Sequence, residues 1–137
     1  MAVTPTPAYP QNPVSTVIAV SSTANTSRTP TSAALPSNAV LVSPSTNTNG
    51  VRLDAIQVCG TGTTVAGQII LWLVDSSNNA NVVDEITVSA VTPSTTAPTF
   101  ITTKYYTGWV VGAGYKLYAT STVSSQLASV GMFGATF

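Results

Sequence analysis

The chain of 137 residues carries four basic and four acidic side chains, no histidine, and a formal net charge of zero. Charged residues make up only 6% of it and hydrophobic ones 44%, against a usual charged share of about 25%. This balance excludes intrinsic disorder, which pairs low hydrophobicity with high net charge, gives no long-range field toward nucleic acid or an anionic membrane, and rules out histidine-based zinc sets and triads.

A domain of about 150 residues buries roughly 70% of its unfolded surface, so one core suffices and no second domain is needed. Cys59 stands alone, which leaves no internal disulfide. The first residues lack the basic stretch and continuous apolar segment of a secretory signal, pointing to cytoplasmic synthesis. No apolar run approaches the roughly 20 residues of a membrane helix.

Residues 1–14 contain Pro5, Pro7, Pro10 and Pro13, which fix φ, remove backbone donors and favour extended neighbours. They are expected to form an arm, with residues 15–137 as a single domain. Residues 14–21 suit a first strand, Val17 and Ala19 facing one way and Ile18 and Val20 the other. Residues 22–38 read as a long Ser/Thr/Asn connection, and a loop of that length is usually functional or packed over another surface.

Residues 39–43 form a short strand stopped by Pro44, and residues 51–59 the next. Leu53 is followed by Ile56 and Val58, a three-then-two spacing that predicts a bulge. The segment Gln68-Ile69-Ile70-Leu71-Trp72-Leu73-Val74 has strand length and is apolar on both faces. Ile69, Leu71 and Leu73 can fill a core, so Ile70, Trp72 and Val74 need a second cover from a partner subunit or a chain arm. Asp75 to Asn79 turns the chain into residues 82–90, where Val82, Ile86, Val88 and Ala90 share one parity and Glu85, Thr87 and Ser89 the other.

Residues 99–107 are a Thr-rich strand with Phe100, Ile101, Tyr105 and Tyr106, and Trp109 leads toward a glycine corner at 112–114. Residues 115–120 and 126–133 complete the set, with Leu117, Ala119, Val130 and Met132 inward. About eight strands at this spacing, with no helical periodicity, predict an all-β antiparallel sandwich.

Little here carries catalytic chemistry. Asp84 and Glu85 are adjacent on a strand and point to opposite faces, the wrong arrangement for flanking one bond. Asp75 suits a turn. Cys59 has no histidine to activate it and reads as a buried small hydrophobe. The glycines lack the helix and lysine of a phosphate cradle. Tyr105, Tyr106 and Trp109 are the best candidates for a ligand platform, although aromatic residues in sandwich strands usually pack across strands.

A Pro-rich arm, Asn49-Gly50-Val51-Arg52-Leu53 entering a strand, residues 68–75, and Val110-Val111-Gly112-Ala113-Gly114-Tyr115 before a final amphipathic strand together resemble the jelly-roll cement or decoration proteins of tailed bacteriophage heads. The resemblance implies an eight-stranded jelly-roll-like sandwich that binds the outside of the virion capsid and bridges major capsid proteins. It also implies a homodimer or homotrimer, made in the host cytoplasm, with no enzymatic activity, cofactor, nucleic acid or membrane partner. Val3, Pro5, Pro7, Tyr9, Pro10 and Pro13 would then contact the shell. Ile70, Trp72, Val74, Tyr105, Tyr106 and Trp109 would form the subunit-interface or ligand surface. The rival expectation is a carbohydrate-binding or receptor-binding module of a fibre, spike or tail, using Tyr105, Tyr106 and Trp109.

Overall fold

A computed structural model describes residues 12–137. Val3, Pro5, Pro7, Tyr9 and Pro10 of the expected arm lie outside the described residues. Pro13 lies within the first strand, on the edge of a sheet, where a missing backbone donor is tolerated.

The strands are β1 (Asn12–Ala19), β2 (Val40–Leu41), β3 (Val51–Gly60), β4 (Gly67–Val74), β5 (Ala80–Val88), β6 (Ile101–Val111), β7 (Lys116–Ser121) and β8 (Ala128–Thr136). They form two antiparallel sheets of four, ordered β1-β8-β3-β6 and β2-β7-β4-β5, packed face to face as a β-sandwich. No helix occurs among the described residues, and so none long and apolar enough to cross a membrane.

Alternation along the strands builds the core. Val51, Leu53, Ile56 and Val58 of β3, Val130 and Met132 of β8, and Ile69, Leu71, Ile86, Leu117 and Ala119 of the other sheet form one buried cluster. The bulge expected in β3 is present: Leu53 and Ala55 pair with Gly134 and Phe133, leaving Asp54 as the extra residue. It returns Ile56 to the core after Leu53.

A second bulge lies in β5, where Leu71 pairs with Asp84 but Trp72 pairs with Val82. Val83 is the extra residue, and it reverses the parity expected for this strand. Ile86 and Val88 enter the core, whereas Val82 packs against the cluster on the opposite face of the sheet. Ala90 lies beyond β5 and is exposed.

That opposite cluster holds Ile70, Trp72, Val74 and Ala80, all buried. Its cover comes from within the chain. Residues 22–38 run as a strap across the outer side of β7, β4 and β5. Asn25 donates its backbone N–H to Ser121 (2.8 Å), Thr31 and Ala80 exchange backbone hydrogen bonds at 3.0 Å each, and Ala34 donates to Asn78 (3.0 Å). Arg28 binds Glu85 and Gln68, both on this face. Asn25 folds the strap back on itself through Nδ2 to the Ser37 carbonyl at 2.8 Å. The Trp72 indole N–H is satisfied by Thr120 Oγ1 at 3.0 Å, as a buried donor requires.

Candidate interaction face

The two outer faces of the sandwich differ. The strap closes that of the β2-β7-β4-β5 sheet, so Ile70, Trp72 and Val74, each no more than 1% exposed, have no surface to offer a sister subunit. Among the described residues, no such strap crosses the outer face of the β1-β8-β3-β6 sheet.

Its composition follows from the strand register, because paired residues on neighbouring antiparallel strands project to the same side. One row runs Ala19, Ser129, Cys59, Ile101; the next Val17, Gly131, Gln57, Thr103; and a third Ser15, Phe133, Ala55, Tyr105. None of these side chains is charged. Tyr105 is 79% exposed, Val17 67% and Ile101 57% on the two edge strands, and Phe133 is 37% exposed on β8. Phe133 and Val17 reach over Gly131, where a Cβ would lie 3.2 Å from the Thr16 carbonyl oxygen and 3.5 Å from each of their side chains. Beyond the third row, Arg52 and Asp54 form a bidentate pair at 2.8 and 2.9 Å, so their charges offset each other.

The aromatic residues singled out from the sequence are not brought together. Tyr105 points out from this face. Tyr106 and Trp109 turn inward and pack against the core, their ring centroids 4.9 Å apart and their planes tilted by 55°. Three residues of β6, Tyr106, Thr107 and Gly108, stand opposite the single Asp54 of β3, so Trp109 lies on the same side as Tyr106 despite its odd separation. Gly108 takes φ +71, a left-handed conformation suited to glycine. A three-ring platform therefore does not exist. Cys59 also departs from expectation: it is half-buried on the outer face, not in the core.

Most charges are engaged within the fold. Asp84, on the inner side of the edge strand β5, meets Lys104 Nζ at 2.6 Å and the Tyr106 hydroxyl at 2.6 Å, both from edge strand β6 of the other sheet. Burial alone would raise the Asp84 pKa, but the bonds from Lys104, Tyr106 and the Glu85 N–H, with the Lys104 charge, hold it below the usual carboxylate range. Burial first, then Asp84, pushes the Tyr106 phenol up. Glu85 lies on the opposite face, as expected from adjacency, and its hydrogen bond from Arg28 lowers its pKa. Asp75 accepts from Asn79 and Ser77 in the expected turn, and these bonds, Asn79 first, hold its pKa down.

Among the described residues no group of three or more Cys, Asp or Glu is placed to hold a metal. A shallow hollow of about 190 Å³ lies beside Asn47, Gly50 and Phe137. Its central polar group is already engaged: Asn47 Nδ2 donates to the Gly112 and Tyr115 carbonyls at 2.8 and 2.9 Å, and Oδ1 accepts from Gly50 N–H at 2.8 Å. Comparison with protein families, curated proteins and solved structures finds no match to this chain.

Proposed function

We propose that this protein is a structural component of a virion, binding the outer surface of a tailed-phage capsid and stabilising it by bridging major capsid proteins. The observation that carries the reading is the uncharged outer face of the β1-β8-β3-β6 sheet, which the described residues leave open, on a domain whose charges are mostly paired internally. Such a surface suits association with protein: it asks for little charge desolvation and offers both apolar area and hydroxyl groups.

The strand orders β1-β8-β3-β6 and β2-β7-β4-β5 support assigning the sandwich to the jelly-roll type, in which two Greek keys wind a pair of four-stranded sheets. Residues 1–11, rich in proline, serve in this reading as the strap that lies along the shell. Many weak contacts on one particle act together through effective concentration, so no single site needs high affinity.

Co-sedimentation of the purified chain with undecorated capsids, followed by cryo-electron microscopy of the pellet, tests the role. Stoichiometric, symmetric density on the shell is the expected result. A chain beginning at Asn12 should keep its fold, since β1 stays whole, and lose retention on the particle. Absence of binding by the full chain, or density only at a vertex or tail, would overturn the proposal.

A further inference from the structure

We infer that the outward edge of β1 takes an extended, uncharged segment of the capsid protein as an added strand of the β1-β8-β3-β6 sheet. The inference rests on the decoration reading for the identity of the partner, whereas the kind of segment follows from the edge itself.

Strand pairing fixes which backbone groups face outward. Val20 donates its N–H to the Ala128 carbonyl at 3.0 Å, and the register of β1 with β8 continues unbroken from there to Asn12. Hydrogen-bonded pairs alternate along an antiparallel ladder, so Val14, Thr16 and Ile18 bond to β8. Ser15, Val17 and Ala19 therefore turn their N–H and C=O groups away from it, and Pro13 its C=O. No described residue bonds to these groups, and Ser15, Val17 and Ala19 are all exposed.

The other three edge strands are blunted against such an addition. β2 is two residues long. β5 is bulged at Val83, carries Asp84 and Glu85, and gives the backbone of Ala80 to the strap. β6 leaves its register at 106–108 and points Lys104 inward to Asp84. Short length, bulges and inward charges are the means by which natural sheets keep foreign strands off their edges. β1 has none of them: it is eight residues long, regular and uncharged.

The edge also specifies its occupant. Donors at Ser15, Val17 and Ala19 and acceptors from Pro13 to Ala19 match main chain in extended form, about 20 Å of it. Side chains of the added strand would lie beside Ser15 and Val17 on the outer face and beside Thr16 and Ile18 on the other. Neither set offers a countercharge, so the segment is uncharged. Pro13 argues against a second copy of β1. A two-fold pairing would repeat that proline at both ends of the ladder and leave a facing carbonyl without a donor each time; a foreign segment meets it once.

Co-sedimentation with undecorated capsids tests the inference through the backbone. Ser15→Pro and Val17→Pro each delete one outward N–H and leave every bond to β8 in place. Each should weaken retention about tenfold or more while melting near the parent. Val17→Thr, which keeps that N–H, should bind several-fold more tightly than Val17→Pro. Amide hydrogen exchange of the parent gives a second reading that needs no variant: the Ser15, Val17 and Ala19 amides should exchange fast in the free chain and slowly on the particle.

Proline variants retained as well as the parent, or those amides unchanged on the particle, would overturn the inference. So would protection already present in the free chain, whether removed by starting at Asn12, which assigns the edge to residues 1–11, or by dilution, which assigns it to a second copy. A parent that fails to sediment with capsids sinks the decoration role and this contact with it. A parent that binds while both proline variants bind equally sinks the contact alone.

Discussion

Tyr106 donates its hydroxyl hydrogen to Asp84 Oδ2 at 2.6 Å, joining β6 of one sheet to β5 of the other where each sheet ends. With Lys104 on the other carboxylate oxygen, this clasp closes the open side of the sandwich by polar contacts where an apolar core would be wet. Tyr106→Phe should cost about 1 kcal/mol, and Asp84→Asn, which also strips Lys104 of its partner, about 1–3 kcal/mol. Chemical denaturation of both variants and of the double mutant checks this. A coupling energy near zero would show that the two groups do not act together.

Acid should loosen the fold before base does. Asp75, Asp84 and Glu85 all have folded-state pKa values below their usual ones, so the native state holds fewer protons than the unfolded chain near pH 4. Their contribution is fully present above the unfolded values and is lost as pH falls below about 4. With no histidine, stability should be nearly level between about pH 6 and 8. Thermal melting across pH 3–8 gives the curve, and a midpoint that rises on acidification would contradict it.

The bulge in β3 depends on Gly134. A Cβ there would collide with the Arg52 carbonyl oxygen, so Gly134→Ala must displace backbone and should cost more than about 2 kcal/mol. Gly108→Ala meets no neighbour within 4 Å and pays only for its positive φ, about 1 kcal/mol. Equal losses at the two sites would remove the steric account.

Arg28 fastens the strap to Glu85 and Gln68 on the face of Ile70 and Trp72, alongside Asn79 Oδ1, which accepts from the Ala33 N–H at 3.1 Å. Arg28→Ala should speed amide hydrogen exchange at Asn25, Thr31 and Ala34, whose backbone bonds tie residues 22–38 to the sheet, while amides of β3 keep their protection. Uniform acceleration across the molecule would mean that the strap is no separate unit.

These elements differ in how far the sequence reveals them. The β3 bulge was legible because Leu53, Ile56 and Val58 break strict alternation with residues that must be buried. The Val83 bulge was not, since Val82 and Val83 are both apolar and either could serve the core. The excursion at 106–108 hides for a similar reason: Tyr106 and Trp109 look like members of opposite faces until three residues of β6 oppose one of β3. The closing of the second face was legible only as a need. Residues 22–38 meet it mainly through backbone hydrogen bonds, which any Ser/Thr/Asn sequence can make, so periodicity carried no trace of them. Buried Asn25 and Pro36, lone landmarks in a polar stretch, were the available hint. The uncharged face had no sequence signal of its own, because Tyr105, Val17 and Phe133 come onto one face only through the register of four strands.

The pairing of Asn12 with Thr136 also determines how the domain meets mechanical load. Strands β1 and β8 run antiparallel, so a pull applied ahead of Asn12 and after Thr136 enters at one corner. It opens their hydrogen bonds one after another, as a zipper, and never loads the whole ladder in shear. A pull through residues 1–11 against a body held elsewhere on the sandwich runs along β1 and loads many of those bonds together. The same two strands are therefore weak against one direction of force and strong against the other, and the direction in which the molecule is held decides which it meets.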